Sequence, residues 1–152
     1  MTQLRVLSLG AGVQSTALAL MAAKGELPAP DCAIFADTQW EPRAVYAHLD
    51  QLERLLPFPV YRVTAGDIRA TIATERYDPI PWYRAGGQMG RRQCTKQFKL
   101  YPIRRRVREL LGGKTPKAGC EMWIGISRDE AHRMKPSTVQ YITNRWPLVE
   151  AD

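Results

Sequence analysis

The sequence predicts an α/β protein, a three-layer sandwich in which helices cover a parallel sheet of about five strands. Strand-like and helical segments alternate at short intervals through the first half of the chain, the pattern that a helix-covered parallel sheet produces. The strand-like segments are short apolar runs ended by turn residues, as buried strands require. A length of 152 residues fits one domain with a single substantial core.

Leu4 to Leu9 is the first such run and stops at Gly10. Gln14 to Lys24 follows with Ala, Leu and Met at helical spacing and Gly25 as its stop. Asp31 to Ala36 reads as a second strand. Pro42 opens the next helix, whose inner stripe is Val45, Leu49, Leu52 and Leu56. Val60 to Thr64 reads as a third strand and Asp67 to Thr74 as a short helix. Tyr77 to Thr95 carries Pro79, Pro81 and Gly86-Gly87 with little periodicity, and is expected to be a long functional loop. Helix resumes from Leu100 to Leu111, closed by Gly112-Gly113. Glu121 to Ile126 reads as a further buried strand, and Arg128 to Arg133 as a helical turn.

Hydrophobic residues make up 45% of the chain and charged residues 24%, ordinary for a soluble globular protein. No apolar run is long enough to span a bilayer. The first 24 residues do not resemble a signal peptide, so a cytoplasmic location is expected. The net charge of +7 is concentrated: residues 84–117 hold eleven Lys and Arg against Glu109 alone, which leaves the remainder slightly acidic. Such a field attracts phosphate, on a small nucleotide or along a nucleic-acid backbone. Tyr77 to Lys99 is expected to close over a bound anion that neutralises Arg91, Arg92, Lys96 and Lys99.

The turn Ser8-Leu9-Gly10-Ala11-Gly12-Val13-Gln14-Ser15-Thr16 joins the first strand to the first helix. Glycines here let backbone N–H groups converge on an anion, and the helix N-terminus adds partial positive charge. Ser15 and Thr16 can each offer a hydroxyl to a phosphate oxygen. The Gly-Lys-Ser/Thr ending of the ATPase P-loop is absent, and Ser15 stands where a dinucleotide fingerprint needs its third glycine. Cys32, Cys94 and Cys120 are too few and scattered for a disulfide framework. Cys32 reads as core; Cys120 reads equally as packed or reactive. The cations around Cys94 favour its thiolate. His48 and His132 lack metal-ligand spacing. Trp82 and Tyr83 can stack on a base or simply pin the loop.

Gly12-Val13-Gln14-Ser15-Thr16 resembles the PP-loop of the adenine-nucleotide α-hydrolase superfamily, and more narrowly that of the phosphoadenosine phosphosulfate (PAPS) reductase family. Three further segments resemble that family in the required order. Phe35-Ala36-Asp37-Thr38 with Glu41-Pro42 is similar to its Asp-Thr-Gly segment, with Gln39 in place of glycine. Cys94 to Ile103 is similar to Cys-x-x-x-x-Lys-x-x-Pro-Leu. Gly125 to Arg133 is similar to Gly-Ile-Arg-x-x-Glu-Ser-x-x-Arg, with Ser127 and Ala131 replacing Arg and Ser, and the final Arg shifted to Arg133.

The resemblance implies a Rossmann-like sheet of HUP type and one nucleotide-binding domain over residues 1–152. Trp146 to Asp152 resembles the family's strand leading into a final helical region. That C-terminal region, which carries the catalytic cysteine of true reductases, is expected to be lacking here. The resemblance further implies ATP or an adenylyl sulfate such as PAPS as ligand, with attack at the α-phosphate or the sulfonate, as an ATP pyrophosphatase or a PAPS reductase-like enzyme. Ser8, Gly10, Ala11, Gly12, Val13, Gln14, Ser15 and Thr16 would cradle phosphate, with Asp37, Thr38, Gly125 and Glu130 completing the nucleotide site. Lys96, Lys99, Arg128 and Arg133 would stabilise developing charge. Mg2+ is compatible with this reading, whereas an iron–sulfur cluster at Cys94 would need cysteines from outside this chain. A rival reading makes residues 84–117 a docking surface for tRNA or DNA in a sulfur-modification system; another is a non-catalytic nucleotide-binding module. A homo-oligomer is compatible with each.

Overall fold

A computed structural model describes residues 3–74, 83, 85–88, 95–113 and 116–151. Five strands, β1 (Leu4–Ser8), β2 (Cys32–Asp37), β3 (Val60–Thr64), β4 (Cys120–Ile124) and β5 (Ile142–Arg145), form one sheet in the order β3-β2-β1-β4-β5. All four pairings are parallel. The expected three-layer α/β sandwich is the architecture observed.

The strand order explains where the helices lie. From β1 the chain steps outward to β2 and β3, then returns to the other side of β1 for β4 and β5. Right-handed crossovers taken in opposite directions put their helices on opposite faces. Helices α1 (Val13–Ala23) and α2 (Arg43–Leu55) therefore share one face. There Leu18, Ala19 and Ala22 of α1 and Leu49 and Leu52 of α2 pack on Leu7, Ala33, Phe35 and Trp123. The expected stripe of α2 is the buried one: Leu49, Leu52 and Leu56 lie in this core, with Val45 packed against it. Each buried leucine contributes about 1.5–3 kcal/mol relative to exposure. Helix α3 (Ile68–Thr74) follows β3. On the other face, Ile103 and Val107 of α4 (Tyr101–Leu110) cover Val6, Cys32, Ile34, Cys120, Met122 and Ile142.

Three elements differ from the sequence expectation. The helix expected from Leu100 begins earlier, because a π-helical turn over Thr95–Leu100 leads into α4. The strand expected to reach Ile126 ends at Ile124, leaving Gly125 and Ile126 in the loop beyond it. Trp146 to Asp152 does not begin as a strand: β5 precedes it, and Pro147 at a first-turn position starts the short helix α5 (Pro147–Glu150). Glu150 accepts from Arg145 Nη2 at 2.6 Å and from the Trp146 N–H at 3.0 Å, tying α5 to the end of β5. No helix among the described residues is long and apolar enough to cross a membrane.

Candidate functional site

The reversal of strand order between β1 and β4 opens a crevice at their carboxyl ends, because the chain leaves these neighbours toward different layers. The turn after β1 builds one wall. Ala11 adopts φ +55°, a left-handed conformation that bends the chain back before α1 begins and turns consecutive N–H groups toward one side. Gly12 is the N-cap residue and no side chain caps the helix; the first helical bond runs from Thr16 N to Gly12 O at 3.0 Å. The amides of Val13, Gln14 and Ser15 are thus the orphan donors of a helix N-terminus.

Packing does not require the absence of a side chain at either glycine flanking Ala11. A Cβ on Gly12 would meet nothing within 4 Å, and one on Gly10 would only approach the Ser15 hydroxyl at 3.9 Å. Neither glycine has a positive φ. Gly125, after β4, is the opposite case. A Cβ there would lie 2.6 Å from Ser15 N and 2.9 Å from the Gln14 carbonyl carbon. The β4 loop and the first turn of α1 are therefore packed backbone to backbone. Gln14 strengthens the seam by donating Nε2 to Glu130 Oε2 at 3.3 Å. Glu130 also receives Arg133 Nη1 at 2.7 Å, within the 3-10 turn Arg128–Arg133. Arg128 opens that turn.

Two hydroxyls offered by the sequence are otherwise engaged. Ser15 is buried and donates to Gly12 O at 3.3 Å. Thr16 Oγ1 lies 3.0 Å from His48 Nε2 of α2, so its side chain faces α2 rather than the cradle.

The loop after β2 forms the neighbouring wall, one strand away. Asp37 Oδ1 accepts from the Tyr46 hydroxyl and from Gln39 N, both at 2.7 Å, while Oδ2 has no hydrogen-bond partner among the described residues. Desolvation and the bond to Asp37 raise the Tyr46 phenol above its ordinary pKa, keeping it a donor. Thr38 is buried and donates to Glu41 Oε1 at 3.0 Å, and Lys99 Nζ reaches the same oxygen at 3.7 Å. Lys99 is thereby brought to the carboxyl edge. Lys96 Nζ lies 5.7 Å from the Tyr101 ring centroid. Gln39 holds φ +59° and donates to Thr64 Oγ1 of β3 at 3.1 Å. Tyr46 was not identified from sequence, and His48 was read there only as lacking metal-ligand spacing; their roles arise from contacts of α2 with the β2 loop and with α1, for which the sequence carries no local signal.

Beside the cradle, toward α4 and β5, lies a cavity of about 480 Å³ bordered by Ser8, Gly125, Arg104, Arg133 and Lys135. No carboxylate among the described residues lines it. Trp146 also lines it, and the buried indole Nε1 has no hydrogen-bond partner among the described residues, an exception to the rule that buried donors are paired.

The two described cysteines are core residues. Cys32 and Cys120 are buried in β2 and β4, and burial pushes their thiols up to about 11 and about 12. Cys120, open between packing and reactivity from sequence, is packed. Among the described residues no three His, Cys, Asp or Glu side chains group to hold a metal ion. Cys94, Trp82, Arg84, Arg91, Arg92 and Lys114, with most of the expected closing segment, lie outside the described residues. Tyr83 is exposed.

A family model described as the phosphoadenosine phosphosulfate reductase domain matches residues 5–150. No curated protein matches the chain.

Proposed function

The chain belongs to the phosphoadenosine phosphosulfate reductase family, within the adenine-nucleotide α-hydrolase (PP-loop) superfamily, and from this we propose that it binds an adenine nucleotide across the β1–β4 crevice and promotes attack on it. The observation that carries this reading is the pair Gly10 and Gly12. Neither packing nor backbone conformation demands a missing side chain at either position. A ligand approaching the uncapped amides of α1 does demand it.

In this reading the phosphates lie over the turn Gly10–Ser15 and the ribose reaches the open Oδ2 of Asp37. Arg133 and Lys99 are held at the edge by Glu130 and Glu41, and both cations exchange carboxylate for phosphate when the nucleotide enters. Charge developing on the α-phosphate or the sulfonate is stabilised by these cations and by the fixed amides. An acceptor nucleophile forms a bond to phosphorus and pyrophosphate leaves with the P–O electron pair; with an adenylyl sulfate, the bond forms at sulfur and the adenosine phosphate leaves. The cavity next to Gly125 holds the acceptor. The acceptor is not Cys32 or Cys120, which are sealed in the sheet. A magnesium ion bound mainly through the phosphates would neutralise their charge, and Asp37 would hold its water shell.

Isothermal titration with ATP–magnesium and separately with PAPS tests the reading, followed by mass spectrometry of the products. We expect one of the two to bind and Gly12→Val to weaken that binding at least ~10-fold in a folded protein. Binding of neither nucleotide, or equal affinity in the Gly12→Val variant, overturns the reading.

A further inference from the structure

The nucleotide reading leaves unused the outward side of α4. Pro102, Ile103 and Val107 turn into the core, which forces Arg104, Arg105, Arg106 and Arg108 outward on little more than one turn of helix. Glu109 is the sole acid of that helix, and Arg105 and Arg106 share it at 3.2 and 3.4 Å. Arg106 is further held by stacking at 4.2 Å over the Tyr61 ring. Arg104 donates to Thr138 Oγ1 at 3.0 Å, a neutral partner that leaves its charge uncompensated. Arg108 has no carboxylate partner among the described residues.

Arg104, Arg105 and Arg108 line a groove of about 500 Å³ together with Gln97, Tyr101 and Thr64. Tyr101 is half exposed there, and Lys96 hovers over its ring. Cations in excess of acids attract any polyanion. A planar aromatic ring set among guanidinium groups is more selective, because it presents a stacking platform to a nucleobase while the arginines take phosphates. A duplex would keep its bases away from that ring; a single strand offers them.

We propose that the outer face of α4 docks single-stranded nucleic acid, with Arg105 and Arg108 on the phosphates and Tyr101 stacked on a base. Arg104 borders both this groove and the cavity beside Gly125. A strand docked here thus runs next to the crevice and is placed to act as the acceptor. That last role rests on the nucleotide reading; the docking does not.

The test is fluorescence anisotropy with a fluorescein-labelled single-stranded oligonucleotide, in RNA and DNA forms, across a salt series. The native protein is expected to bind with a steep salt dependence. Arg105→Ala with Arg108→Ala should weaken binding at least ~10-fold and flatten the log–log slope by about 1.4, or about 0.7 per lost phosphate contact. Tyr101→Ala should weaken binding ~5-fold or more with the slope unchanged. Circular dichroism verifies folding of each variant, and Arg105→Lys with Arg108→Lys should retain most of the slope. An unchanged slope in the double alanine variant overturns the proposal. So does polyglutamate competing as well as the oligonucleotide while Tyr101→Ala has no effect, a result that identifies an acidic protein as the partner. ATP titration of the same variants should be unaltered; absence of ATP binding in the native protein would sink the nucleotide reading while leaving the docking result intact.

Discussion

The two walls of the crevice are made of different material. The β1–β4 seam is backbone against backbone, with Gly125 pressed on Gln14 and Ser15 and no room for a methyl group. The β2 wall is a set of side-chain hydrogen bonds, Tyr46 to Asp37, Thr38 to Glu41 and Gln39 to Thr64. A close-packed backbone seam cannot relax, so one added carbon is felt in full. Hydrogen bonds near the surface are exchangeable with water, so each loss is modest. The first wall should therefore respond to substitution in a nearly all-or-none way and the second by increments.

Gly125→Ala is the sharpest way to break the comparison. A Cβ placed 2.6 Å from Ser15 N must push the β4 loop away from α1. We expect a loss of about 3 kcal/mol in urea unfolding, together with loss of nucleotide binding. An unchanged denaturation midpoint would show that the seam is softer than its geometry.

Gly12→Val separates fold from ligand on the same wall. With open space around the position and an N-cap φ of −90°, stability should change by less than about 1 kcal/mol. Nucleotide affinity should fall at least ~10-fold, equivalent to about 1.4 kcal/mol. Calorimetry on the folded variant measures both quantities.

Tyr46→Phe probes the second wall. Removing the donor to Asp37 should cost about 1–2 kcal/mol at neutral pH. The tyrosine pKa is raised in the folded state, so its stabilisation is complete below the unfolded value near 10 and is lost as pH rises through the folded value. The stability gap between native and variant protein should accordingly be flat through neutral pH and narrow in strong alkali. Denaturant titrations at several pH values give that gap directly; one that widened above pH ~10 would contradict the assignment.

The smallest effect is expected at Gln39. Gln39→Ala keeps the strained φ of +59° and removes the bond to Thr64, whereas Gln39→Gly loses the same bond but relieves the strain. Glycine should exceed alanine in stability by about 1 kcal/mol, leaving Gln39→Gly within ~0.5 kcal/mol of the native protein. Equal stability of the two variants would mean that Gln39 has no left-handed strain to relieve.

Legibility in the sequence follows the same division. β1, β2 and the stripe of α2 were readable because burial on a sheet or helix face imposes its pattern on adjacent residues. β5 was not: of Ile142, Thr143, Asn144 and Arg145 only Ile142 is buried, so an edge strand of four residues left no pattern. The π-helical turn at Thr95–Leu100 was equally invisible, since its buried Phe98 could belong to a helix or a loop.

By itself the sequence determined the layer architecture, the glycine-bearing strand-to-helix turn at Gly10–Thr16 and the concentration of positive charge, because each is written in consecutive residues. Only the tertiary structure decided which side chains the turn releases to a ligand. Thr16 is taken by His48, Gln14 by Glu130 across 116 positions of chain, and Lys96 by Tyr101, while Lys99 is delivered to Glu41 at the crevice. The reason is that a side chain's partner depends on which loops the strand order brings together at one edge. That order is set by packing of the whole core, not by any local stretch of residues.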